Sequence, residues 1–142
     1  MIFSKPRILC VDDEPSILKI FEGLLAPNDY EIIKAQDGQE ALEKLNEERV
    51  DLVLMDIMMP KLDGLEACKR TKGDERTRDI PVVIITALSA KADWVKGIEA
   101  GAEDFISKPF DAREILERVK ILLERKSLSE RNALFPPVIG NP

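Results

Sequence analysis

Residues 51–56 read Asp51-Leu52-Val53-Leu54-Met55-Asp56, apolar at every position between two carboxylates. A strand with one wet face alternates apolar and polar residues. A strand that is apolar throughout must be covered on both sides, which is the condition of a parallel sheet flanked by helices. Four further short segments read as strands: Ile8–Val11, Tyr30–Ala35, Val82–Ile85 and Asp104–Ser107. A helical pattern follows each of the five strands. Pro15 suits a first helical turn, and Ile17, Leu18, Phe21, Leu24 and Leu25 recur at helical spacing until Ala26-Pro27-Asn28. Asp37 with Glu40, and Asp111 with Glu114, have the spacing of a capping box. Ser89 is expected to cap a helix that turns Val95 and Ile98 toward the sheet and Trp94 toward solvent, closed by Gly101. The fold class expected is α/β, a doubly wound five-stranded parallel sheet with helices on both faces. Helical periodicity is lost after Lys126, so 1–126 is expected to be the domain and 127–142, with Pro136, Pro137, Gly140 and Pro142, a linker or flexible tail.

Composition removes whole classes of chemistry. With no histidine among 142 residues, Ser-His and Cys-His nucleophile pairs and imidazole zinc sites are excluded, and any phosphohistidine must belong to a partner. Cys10 and Cys68 sit in apolar patterns and read as small core residues. The net charge of −6 is concentrated in the first four-fifths of the chain and argues against direct nucleic-acid binding by this domain. The longest apolar stretch, Pro81–Leu88, is far short of the ~20 residues that cross a bilayer. The chain is expected to be cytoplasmic.

In open parallel sheets, sites form beyond the carboxyl ends of the strands, where strand order reverses. The residues there are Asp12 and Asp13 after the first strand, Asp56 after the third, Thr86 and Ala87 after the fourth, and Lys108-Pro109 after the fifth. In the flavodoxin-like order 2-1-3-4-5 the three carboxylates converge. Alone, each has a plain explanation in a helix dipole or a turn. Together they repel, and such a cluster tolerates ionisation only with a cation between them or with a raised pKa. Hard oxygen ligands of this kind suit Mg²⁺, with Mn²⁺ as an alternative. A nucleotide or flavin site is disfavoured because Asp12-Asp13-Glu14-Pro15 repels phosphate where such a site needs bare backbone amides. A haloacid-dehalogenase-type phosphohydrolase is disfavoured because Met58 stands where its second acid is needed.

The motifs Ile8–Glu14, Asp51–Pro60 with Asp63-Gly64, Ile84–Ala87, Ala100–Ala102 and Phe105–Phe110 resemble the receiver domain of two-component response regulators from about Arg7 to Arg125. The resemblance implies that Asp56 accepts a phosphoryl group from a sensor histidine kinase or a histidine phosphotransfer protein. It implies that Asp13, Asp56 and the Met58 carbonyl hold Mg²⁺, with Asp12 acting through water. It gives Lys108 and Thr86 the phosphoryl oxygens, Ala87 the role of leaving access, and Phe105 a rotamer coupled to Thr86. It also implies a cis Lys108–Pro109 bond.

Output would leave through the fourth helix, fifth strand and fifth helix, with Trp94 and Phe105 on the partner surface toward an effector protein or a second copy. Trp94 departs from the winged-helix branch of the family, which has a basic residue there for dimer salt bridges. Met58 and Leu88, apolar residues flanking the approach of water, imply slow loss of the phosphoryl group. The alternative is a phosphocarrier in a multistep phosphorelay. The resemblance leaves the kinase, stimulus and output domain open.

Overall fold

The computed structural model describes residues 5–88 and 90–134. Strands and helices alternate: β1 (Arg7–Val11), α1 (Pro15–Leu25), β2 (Glu31–Ala35), α2 (Gly38–Glu47), β3 (Leu52–Met55), α3 (Gly64–Gly73), β4 (Val82–Thr86), α4 (Lys91–Glu99), β5 (Asp104–Ser107) and α5 (Ala112–Leu134). A 3-10 turn over Ala26–Asn28 ends α1, where Pro27 and the left-handed Asp29 (φ 67°) stop the helix. All neighbouring strands pair in parallel, in the order β2-β1-β3-β4-β5. The doubly wound sheet and its order are those the sequence leads one to expect.

Strand pleating divides the core in two. Ile8, Cys10, Leu52, Leu54, Val83, Ile85 and Ile106 face α1 and α5, meeting Leu18, Phe21, Leu25, Ile115, Val119 and Leu122. Leu9, Val11, Val53, Met55, Val82 and Ile84 face the other way, onto Ala41 of α2 and Ala67 and Cys68 of α3. Phe21 closes the first layer by stacking on Phe110, with ring centroids 5.3 Å apart. Asp37 and Asp63 cap α2 and α3, each side chain accepting the amide three residues on, Glu40 at 2.8 Å and Glu66 at 2.9 Å. The Asp111 carboxylate accepts the amide of Arg113 at 2.8 Å at the start of α5.

Two expectations need correction, and one falls outside the described residues. Val95 and Ile98 do not face the sheet: Ile98 is 70% exposed, and the buried residue of α4 is Gly97. A Cβ at Gly97 would lie 3.0 Å from two ring carbons of Phe105. The aromatic ring therefore fills the space an aliphatic side chain would take, and the helix turns its glycine inward. Trp94 stacks on the same ring with a centroid distance of 4.5 Å. It remains 37% exposed, so it both meets solvent and covers Phe105. The second correction concerns α5, which continues past Lys126 to Leu134. Its exposed residues there keep helical backbone bonds without an apolar seam. Ser89 lies outside the described residues; α4 starts after Ala90 with no side-chain cap.

The corrected phase of α4 separates two substitutions. Leu54→Ala, in the fully buried third strand, is expected to cost about 2–5 kcal/mol of unfolding free energy in urea denaturation. Ile98→Ser should change it by less than about 0.5 kcal/mol, as for an exposed position.

Candidate phosphoacceptor site

The sheet carries three acids to one point. β1 continues one residue past its end, the Asp12 amide bonding the Ala35 carbonyl at 3.1 Å, and β3 does likewise, with the Asp56 amide on Val11 at 3.1 Å. These bonds fix the two backbones side by side at the carboxyl edge. Carboxylate oxygens of Asp12, Asp13 and Asp56 lie within 4.8 Å of one another. Asp12 and Asp56 are buried, Asp13 is exposed.

From β5, Lys108 reaches across β4. Its amide bonds the Thr86 carbonyl at 2.8 Å, the Lys108–Pro109 peptide is cis, and Nζ donates to Asp12 Oδ2 at 2.7 Å and to Asp56 Oδ2 at 2.8 Å. The remaining oxygens of both acids accept main-chain amides: Asp12 Oδ1 from Glu14 at 3.0 Å, and Asp56 Oδ1 from Ile57 at 2.7 Å. Burial pushes the Asp12 carboxyl above its ordinary range, with Lys108 and the Glu14 amide opposing. For Lys108, burial disfavours the charge, but the hydrogen bonds and charges of Asp12 and Asp56 outweigh it and raise its pKa. Lys108 is a fixed cation at neutral pH.

Around this cluster is a cleft of about 710 Å³ lined by Asp13, Asp56, Met58, Thr86, Ala87 and Lys108, among others. The buried Thr86 accepts the Leu88 amide at 3.3 Å through its hydroxyl oxygen. Its proton is left to donate elsewhere. Met58 is 63% exposed at the rim. Phe105 lies half-buried on the neighbouring strand beneath Trp94. Another hollow, of about 670 Å³, opens at the amino ends of the strands, where Lys126 lies beside Asp51 and Glu130. Among the described residues, three carboxylates converge only at the carboxyl edge.

Donor chemistry tests the metal. Asp12 and Asp56 share one cation between them, and among the described residues Asp13 has no comparable partner, so three carboxylates face a single lysine charge. Hard oxygens in excess of positive charge are the ligands of a divalent cation such as Mg²⁺. The cluster can hold a metal ion.

The model of the response regulator receiver domain matches residues 8–120. The chain belongs to that family. It is 42% identical over 123 residues to the alkaline phosphatase synthesis transcriptional regulatory protein PhoP of Bacillus subtilis (strain 168), an alignment covering 87% of this chain and 50% of that protein. The chain thus spans about half the length of the curated relatives it matches. The signal receiver domain of a signal transduction histidine kinase from Syntrophus aciditrophicus superposes with a TM-score of 0.80 at 36% identity, covering 84% of this chain and 90% of the other. The receiver domain of the sensor histidine kinase PA1611 from Pseudomonas aeruginosa PAO1, whose structure has a magnesium ion coordinated in its active site cleft, gives 0.79 at 28% identity, covering 84% and 98%. The receiver domain is therefore a part of two-component signalling, and among the described residues no helix is long and apolar enough to cross a membrane.

The structure brings together Asp12, Asp13, Asp56, Thr86 and Lys108, which the sequence places apart. Gly64 escaped as a site residue. Its amide bonds the Ile57 carbonyl at 2.9 Å, and a Cβ there would stand 1.9 Å from the Asp56 carbonyl oxygen. Only a glycine lets α3 begin against the backbone of the central acid, and the Asp63-Gly64 pair is the one visible sign.

The Lys108 ion pair sets a pH dependence. Its pKa in the folded receiver is raised above 10.5, so the fold holds this proton more tightly than the unfolded chain does. The stabilisation is fully present below about pH 10.5 and is lost as pH climbs through the higher folded value. Unfolding measured from pH 8 to pH 11.5 should show a shallower alkaline decline in Lys108→Met than in the wild type.

Proposed function

We propose that this receiver is a switch that takes a phosphoryl group onto Asp56 from the phosphohistidine of a sensor histidine kinase. The observation that carries the reading is the single cation, Lys108, held at hydrogen-bond distance from both Asp12 and Asp56 beside Asp13. In the transfer, a carboxylate oxygen of Asp56 attacks phosphorus. The new P–O bond forms as the donor's P–N bond breaks, and the electron pair returns to the donor imidazole. Asp13, Asp56 and the Met58 carbonyl would hold Mg²⁺, with Asp12 acting through water. Bound there, the ion supplies neutralisation of the phosphoryl oxygens.

Lys108 already faces Asp56 and stabilises the charge of a transferred group. The Thr86 hydroxyl donates to another of its oxygens, with Ala87 leaving access. Phe105 follows Thr86, and Trp94 on the same ring carries the change to the surface of α4, β5 and α5, where Val95 and Ile98 are exposed for an effector or a second copy. The same chemistry makes the domain a catalyst of its own phosphorylation and of slow dephosphorylation, acting in the cytoplasm.

A second reading, a carrier that passes the group on to a histidine phosphotransfer protein, is supported by the likeness to receivers of histidine kinases. Onward transfer from labelled Asp56 to a partner histidine distinguishes it from a terminal switch.

Asp56→Asn is expected to abolish modification by acetyl phosphate in intact-mass spectra while leaving the circular dichroism unchanged, since an amide is neither nucleophile nor good ligand. Chelating divalent metal should do the same to the wild type, and undiminished modification of the variant would refute the assignment.

Lifetime is a separate matter. Met58 and Leu88 offer attacking water no strong hydrogen-bond partner. Phosphorylated wild type should decay over minutes or longer, and Met58→Asn with Leu88→Glu should shorten the half-life.

A further inference from the structure

The loop between β3 and α3 carries the Asp56–Met58 backbone, and at its far end it is tied to a part of the molecule with no role in the chemistry above. Pro60, Lys61 and Leu62 form a three-residue turn in which the Leu62 amide bonds the Pro60 carbonyl at 2.8 Å. Lys61, a residue with a side chain, takes φ 66° there. A γ-turn with positive φ at its centre is rare and strained, and it persists only where surrounding contacts hold it. Those contacts come from the first turn of α2. The Gly38 amide bonds the Leu62 carbonyl at 3.0 Å, and the buried Asp37, while capping α2 through Glu40, places its other oxygen 3.6 Å from Lys61 Nζ.

The approach is closer than any side chain allows. A Cβ on Gly38 would stand 2.3 Å from the Leu62 carbonyl oxygen and 3.0 Å from its carbon, both backbone atoms that cannot rotate aside. The seven residues from Ile57 to Asp63 are therefore pinned at two places, by Gly64 on Ile57 at the base and by Gly38 on Leu62 at the apex.

We infer that Gly38, with Asp37, is a positioning residue for the phosphoacceptor loop, holding the Asp56–Met58 backbone in metal-binding geometry without touching metal or phosphoryl group. The inference rests on the proposed function. A residue at this remove acts on ligand affinity as the supports of metal ligands do, at about 10–100-fold per lost support. Because coupling between two sites is reciprocal, metal at the acids must also steady the first turn of α2.

Two measurements test this. In Gly38→Ala, the Mg²⁺ dissociation constant from calorimetry should rise about tenfold or more. Acetyl phosphate modification should slow at limiting Mg²⁺ and recover at saturating Mg²⁺. Val50→Ala, a buried truncation at the opposite end of the sheet, should leave Mg²⁺ affinity within about twofold, as for a site sharing no contacts with the loop. Equal losses in both variants would overturn the inference by reducing it to stability.

The wild type answers independently of whether the variant folds. Amide exchange followed by NMR should slow at Gly38 and Glu40 on adding Mg²⁺. Protection at Ile57 and Glu14 without any at Gly38 would overturn the inference. Normal Mg²⁺ affinity in a folded Gly38→Ala whose Asp56 is still phosphorylated would overturn the positioning role alone. A wild type that takes no phosphoryl group would overturn the functional reading as well.

Discussion

Everything at the carboxyl edge depends on one ammonium group shared by two buried carboxylates. Without Lys108, Asp12 and Asp56 would be two acids forced together in a poorly hydrated place with no cation between them. With it, each places one oxygen on Nζ, and the two backbone amides at Glu14 and Ile57 satisfy their outer oxygens. The arrangement obliges the strand order as well. Asp12 and Asp56 end adjacent strands β1 and β3, whereas Lys108 ends β5 and reaches them past β4. The switch in strand order after β1 is what opens the space the lysine enters.

The double-layered core supplies the rigidity that such a cluster requires. Because β1, β3 and β4 bury both faces, no strand can slip by a residue without turning its acid or threonine away from the edge. The register pairs Val11 with Met55, the residues immediately before Asp12 and Asp56, so the two acids emerge level. Packing and chemistry are thus set by the same backbone pairing.

Much of this was readable in the chain. Apolar strands such as Leu52–Met55 signal a sheet covered on both faces, and the polar residues that end them mark the site. What escaped were features that live in backbone contacts between distant segments. The phase of α4 follows from Phe105 packing on Gly97, and a periodicity count over Val95 and Ile98 has no knowledge of the ring across from it. The pins at Gly38 and Gly64 involve carbonyl oxygens, which carry no residue signature, so the glycines themselves are the only trace. The last turns of α5 leave no such trace, because a helix without a core-facing seam looks, in one dimension, like the start of a tail.

That last helix has a mechanical consequence. Its final side chain packed against the core, Leu123, lies eleven residues before Leu134, or roughly 16 Å along the axis. The Lys126–Asp51 ion pair at 3.9 Å still ties the helix to the body there, and past it the helix is a lever arm whose pivot is the hydrophobic seat of Val119, Leu122 and Leu123 on the sheet. A tilt of about 10° at that seat would carry the far end through roughly 3 Å over such a length. A change too small to disturb the packing of the body is in this way converted into a displacement large enough to make or break a contact at the tip.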